Sequence, residues 1–146
     1  MRHDVRGMVL LEALVAIVIF AVGALAFVGL QAFSFKASGD AKYRADAALM
    51  ADTVVGQMST DIPNLVQYAH NPNGGVVAAG CRPNASPSIN ANVREWTTSL
   101  AQMLPNASAD RQQIIVDPSG EVTIRICWQA PQDTTPSNYI MKAAIQ

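Results

Sequence analysis

In the stretch RGMVLLEALVAIVIFAVGALAFVGLQ, residues 6–31, one carboxylate stands alone. Glu12 is the single charged residue between Arg6 and Lys36. The chemistry open to it is ionic. At the centre of a hydrocarbon layer a carboxylate costs roughly 2.5–3.5 kcal/mol on insertion scales, and less near the end of a span, where its head reaches the interface. Residue chemistry alone leaves two readings: Glu12 snorkels to the interface, or it pairs with a cation in a neighbouring helix.

The remaining reactive residues are few. Cys81 and Cys127 are the only cysteines, and both lie beyond the apolar run. An even count in an exported domain predicts one disulfide and an oxidising compartment, with two free buried thiols as the alternative. A bond between them would close a loop of about 46 residues and stabilise by ~4 kcal/mol in the chain-entropy model. His70 is the only histidine beyond residue 7. No Cys/His grouping has metal-ligand spacing, no glycine-rich phosphate loop follows a strand, and no motif gathers Ser, His and Asp. The expectation is therefore a protein that is not an enzyme and carries no cofactor or metal. A net charge of −1 offers no basic field for nucleic acid.

The elements that position these residues follow from periodicity. From Met8 to about Leu30 the chain is apolar except for Glu12, long enough at 1.5 Å per residue to cross a hydrocarbon core of roughly 30 Å. Arg2 and Arg6 on the N-terminal flank leave that end cytoplasmic by the positive-inside rule. The helical pattern then continues without a clear cleavage site. Phe33, Ala37, Ala41, Ala48, Val55, Met58 and Ile62 fall near one stripe, and Pro63 marks the stop. A helix from Met8 to Asp61 would run on the order of 80 Å. Gly23 and Gly29 interrupt its membrane half, either for close helix approach or as points of local softness.

The position of Glu12 now has company. Gly7 ends a short basic leader, Met8 follows, and Glu12 is the fifth residue counted from Met8. With the apolar run behind it, this resembles the class III signal of type IV pilins and pseudopilins. The resemblance implies cleavage after Gly7 by a membrane prepilin peptidase, which also N-methylates the new terminus at Met8. It gives Glu12 a task, pairing with the Met8 amine of a neighbouring subunit and so setting axial register. Met8 stands where many major pilins carry phenylalanine, a mild departure.

In the C-terminal half, Asn64 to Ala91 reads as a long loop rich in turn residues, with Cys81 inside it. Asn84 and Asn106 each begin an Asn-Ala-Ser sequon and are read as turn residues. NVREWTTSLAQMLP reads as a short helix capped by Asn92, with Val93, Trp96, Leu100 and Leu104 on one face. QQIIVD, DPSG and EVTIRICWQ read as a hairpin, and NYIMKAAIQ as a third strand. Val122, Ile124, Ile126 and Trp128 should pack on the long helix, with Thr123, Arg125 and Cys127 on the other face, where an outward Cys127 can pin the loop carrying Cys81 across the sheet.

The loop cysteine, the W…L…LP helix and the hairpin ending in CW resemble minor pilins of the type IV pilus modification kind (PilV type). A small minor pseudopilin of type II secretion (GspI-like) is the nearest relative reading. A single-pass periplasmic binding protein that never polymerises is the alternative of another class. The expected fold is α+β and pilin-like: leader 1–7, membrane half 8–30, amphipathic half 31–62, and a periplasmic head 63–146. The resemblance implies a minor pilin of the bacterial inner membrane, later of the pilus or cell surface, with roles in assembly, twitching motility and adhesion. Its implied partners are other minor and major pilins, the prepilin peptidase and N-methyltransferase, the inner-membrane assembly platform and membrane lipid.

Overall fold

The computed structural model describes residues 4–72, 81–83 and 86–145. The start of the leader, part of the long loop and the sequon residue Asn84 lie outside them. The chain divides into two compact units, Met1–Ala41 and Lys42–Gln146. Helix α1, Asp4–Thr60, supplies all the described structure of the first and opens the second. It begins inside the leader rather than at Met8.

In the first unit, every described side chain from Gly7 to Ser38 is exposed. This apolar surface has no cover among the described residues, and α1 passes unbroken through Gly23 and Gly29. The helix is long and apolar enough to cross a membrane.

The second unit is α+β. The end of α1 is followed by a 3-10 helix, Ile62–Tyr68, by α2, Ala91–Met103, and by the strands β1, Gln113–Val116, β2, Glu121–Trp128, and β3, Ser137–Ala144. The strands form one antiparallel sheet in the order β1-β2-β3. Ala47, Met50, Ala51, Val54 and Met58 of α1 are buried in one cluster with Val93, Trp96 and Leu100 of α2 and Val122, Ile124 and Ile126 of β2. Each fully buried large aliphatic chain stabilises by ~1.5–3 kcal/mol. Trp96 fixes α2 to α1 directly, its indole Nε1 donating to the Met50 carbonyl at 2.8 Å.

Four sequence expectations need correction. The buried stripe of α1 runs through 47, 50, 51, 54 and 58. Of the residues expected there, only Met58 is fully buried; Ala48 and Val55 flank the stripe, and Phe33, Ala37, Ala41 and Ile62 are exposed. Alanine abundance hides the phase of an amphipathic helix, since many alanines fit either face. The segment after Pro63 is not loop throughout, because Ile62–Tyr68 winds as a 3-10 helix that buries Leu65 and Tyr68. The cap of α2 is Asn90, whose side chain accepts from the Asn92 N–H, while the Asn92 amide donates to the Tyr68 hydroxyl. Finally, the second face of β2 is not outward: Thr123, Arg125 and Cys127 are as buried as the core face. Burial lowers the Arg125 guanidinium from its ordinary pKa, though it stays charged at neutral pH.

The β1–β2 turn rests on one glycine. The Gly120 N–H donates to the Asp117 carbonyl at 2.9 Å, and the Gly120 carbonyl accepts from Ile145 at 3.0 Å. Its φ is +83°, and a Cβ there would stand 2.7 Å from the Ile145 carbonyl oxygen. Gly120→Ala should therefore cost about 1–3 kcal/mol in urea unfolding. Gly120→Asn tolerates the φ better but keeps the clash, so a fully stable asparagine variant would assign the cost to dihedral strain alone.

Candidate functional site

Two groups of residues came forward from the sequence, and the structure places one in each unit. Gly7, Met8 and Glu12 lie on the continuous N-terminal turns of α1. At four residues' spacing Met8 and Glu12 share a face, one turn and about 6 Å apart along the axis. Both are exposed, as is every described neighbour on that stretch. Gly7 bears no side chain, so the peptide bond between Gly7 and Met8 carries little bulk on its leader side, and a Cβ built there would meet nothing within 4 Å beyond its chain neighbours and its own helix backbone. Chemically, this is an accessible backbone bond followed by one carboxylate on an apolar rod. A chain cut there would place a new amine at the head of the face that carries Glu12.

Cys81 and Cys127 form the disulfide, with their Cα atoms 5.9 Å apart. Both are buried. The bond ties the loop to the face of β2 opposite the core. Cys81 holds a positive φ of 47°, a conformation rare for a residue with a Cβ, which the bond to β2 helps to maintain.

Around this tether sits a polar lacing that sequence reasoning missed. Gln112 precedes β1, where the chain is leaving a short 3-10 turn at Ala109–Arg111. Its side-chain amide accepts from the Cys127 N–H at 2.9 Å and donates to the Cys127 carbonyl at 3.1 Å. It thus imitates a strand residue and prolongs the β1–β2 ladder past the point where the β1 backbone turns away. His70 acts similarly on the free side of β1. Its backbone exchanges hydrogen bonds with Ile114 at 3.0 and 2.8 Å. Its ring Nδ1 accepts from Ser88 N–H at 3.0 Å, which leaves Nε2 to donate to the Ala109 carbonyl at 2.8 Å. Asn71 completes the lacing, donating to the Gln112 carbonyl at 2.9 Å and accepting from Ser86 N–H at 3.1 Å. The only available signal was composition: isolated Gln, His and Asn beside strands, with no spacing rule to read.

A cleft of about 450 Å³ opens beside this lacing, lined by His70, Ser88, Ile89, Arg94, Thr97 and Thr98 among others. Both nitrogens of His70 are engaged, and the hydroxyls of Thr97 and Thr98 donate to the Arg94 carbonyl. The imidazole has no nitrogen left to ligate a metal. Among the described residues, no three His, Cys, Asp or Glu side chains gather as a metal site. The two groups that the sequence singled out are thus the Gly7–Met8 peptide bond with its nearby carboxylate, and the bond formed between the cysteines. No family model, curated protein or solved structure matches the chain.

Proposed function

We propose that this chain is a minor pilin, a subunit that is cut after Gly7, methylated at Met8 and incorporated through its N-terminal helix into a type IV pilus complex. The observation that carries the reading is the Gly7–Met8–Glu12 spacing at the head of an exposed apolar helix. An apolar surface of that length needs lipid or other helices around it. The one carboxylate near its end needs a cation once water is gone. A neighbouring subunit of the same kind supplies both, because its helix is apolar and its freed terminus is an amine.

On this reading α1 anchors the chain in the bacterial inner membrane, with the head in the periplasm, until assembly moves it into the pilus. The head's disulfide suits an oxidising compartment. The partners are the prepilin peptidase and N-methyltransferase, the assembly platform, and other minor and major pilins. The head offers binding surface rather than a reaction centre, and its part is to prime the fibre and to serve twitching motility or adhesion. Prepilins of type II secretion share the Met after the cut, but the paired cysteines and the ICWQ strand favour the pilus subunit.

Processing tests this first. The intact mass of the membrane form should correspond to a chain that begins at Met8 with a methylated amine. Gly7→Val should leave residues 1–7 attached, because a branched side chain then crowds the scissile bond. A wild-type chain that keeps its leader in a host with an active prepilin peptidase would contradict the assignment and favour an anchored, non-polymerising protein.

A further inference from the structure

His70 is 3% exposed, and its ring is held by backbone groups from two different segments. Nδ1 accepts from the Ser88 N–H at 3.0 Å, and Nε2 donates to the Ala109 carbonyl at 2.8 Å. A backbone N–H only donates, so both bonds exist together only while Nδ1 keeps its lone pair and the ring is neutral. In the imidazolium both ring nitrogens are donors. A proton on Nδ1 would face the Ser88 N–H with no acceptor between them. The held and the protonated ring therefore exclude one another.

The segment under this hold is residues 86–90, which lead into α2. Its other ties are the Ser86 carbonyl to Asn71 N–H, the Ser88 hydroxyl to the Gln67 carbonyl, and the Asn90 N–H to the Ser88 hydroxyl. Of these bonds only the one to His70 involves a group that changes charge near neutral pH. Ser88 and Ile89 also line the cleft of about 450 Å³, and Ile89 is 89% exposed. The charged side chains that line a cavity with the ring are Arg94 of α2 and Asp110 of the short 3-10 turn. β1 brings Ile114 to it and the loop brings Pro87, neither of them ionisable. An ordinary guanidinium and carboxylate keep their charges between pH 7.5 and 5, so the imidazole is the one of the three that titrates there.

We propose that His70 is an acid-operated latch on residues 86–90. The latched state binds the neutral ring, while the open state can take a proton, so acid favours opening. A solvated imidazole takes up its proton near pH 6.5. The latch is at full strength above that pH and weakens as the pH falls below it. With the proton bound only in the open state, the opening constant rises about 30-fold between pH 7.5 and 5.0. Unlatching frees the wall of the cleft formed by Ser88 and Ile89. The sheet and the disulfide, whose bonds do not titrate in this range, stay closed. The latch is independent of the pilin reading.

Amide hydrogen exchange of the full chain in detergent micelles tests it, corrected for the intrinsic effect of pH on exchange. Protection of the Ser88 N–H should fall about 30-fold from pH 7.5 to 5.0. The Cys127 N–H, bound to the Gln112 side chain, should change by less than about threefold. His70→Asn is the control. Its Oδ1 can accept from Ser88 as Nδ1 does but takes no proton, so Ser88 protection should be the same at both pH values. Should that variant not fold, the ring nitrogen resonances of the wild type give the second reading. They should report the Nε2–H tautomer at pH 7.5 and imidazolium appearing together with the loss of Ser88 protection. Unchanged Ser88 protection in the wild type would overturn the proposal. So would a fall shared equally by Cys127, which is a general loss of stability in acid, or the same fall in a folded His70→Asn chain.

Discussion

Glu12→Leu is expected to leave the chain in the membrane at normal or higher level and to remove it from sheared pili. The two halves of that result come from one physical argument. Leucine at position 12 makes α1 apolar without interruption from Met8 to Leu30, so insertion improves. Cleavage survives, since the scissile bond follows Gly7. In the proposed pilus bundle, however, a neighbour's Met8 amine would lose its counter-charge. Breaking a buried pair by removing one partner typically costs ~3–5 kcal/mol, enough to lower incorporation by two orders of magnitude or more. The measurement is the amount of this protein in sheared pili, beside pilus number, at matched membrane levels. Met8 and Glu12 share a face of the same helix, so a pair within one chain is the competing arrangement. If the carboxylate served only its own terminus, or only snorkelled to the interface, the leucine variant would incorporate normally.

What the sequence disclosed and what it did not divide along physical lines. The apolar run, the hairpin around DPSG and the core face of β2 were legible because each has its own period or turn residue. Val122, Ile124, Ile126 and Trp128 are all buried as alternation requires. Val93, Trp96 and Leu100 form the buried face of α2 as their helical spacing requires, and Leu104, just past its end, is buried with them. The phase of α1 in the head was misread because alanine populates both sides of the stripe. The loop pinned through Cys127 on the second face of β2 was expected, but how fully that face is buried was not. Thr123, Arg125 and Cys127 alternate as a solvent-facing set does, yet they are buried. Alternation reports which residues share a face, not whether a loop covers it. The proposed processing signal is of a third kind, linear spacing alone, since Gly7, Met8 and Glu12 need nothing beyond a helix to stand in order. The lacing by Gln112, His70 and Asn71 was invisible, because a side chain that substitutes for backbone depends on where two segments meet in space.

That lacing shapes what loss of the disulfide should do. Replacing both cysteines, Cys81→Ala with Cys127→Ala, frees a loop 46 residues long in sequence. The chain-entropy model assigns about 4 kcal/mol to its closure, and removal of native disulfides from small exported domains typically costs 2–5 kcal/mol. For a domain of this size the melting temperature should fall on the order of 10–20 °C. The native loop should nonetheless stay in place up to Ser86, because a second system holds it. The Ser86 carbonyl accepts from Asn71 at 3.0 Å, and the Ser88 hydroxyl donates to the Gln67 carbonyl at 2.6 Å. Ser88 N–H is bound to His70, and Asn90 N–H to the Ser88 hydroxyl. The prediction is therefore a large global loss with little local change: backbone amides of Asn71 and Ser88 remain protected from hydrogen exchange in the folded double variant. Alanine is the right replacement, since serine would bury a hydroxyl at position 127, which is fully enclosed. Amides that exchange freely at Asn71 and Ser88 while the rest of the head stays folded would show that the bond, and not the lacing, holds the loop. A melting temperature unchanged within a degree or two would show that the loop is already ordered in the unfolded chain or contributes no closure entropy. Adding reductant to the wild-type protein should reproduce the double variant only as fast as the head opens, since both sulfurs are buried and exchange with a thiol needs access.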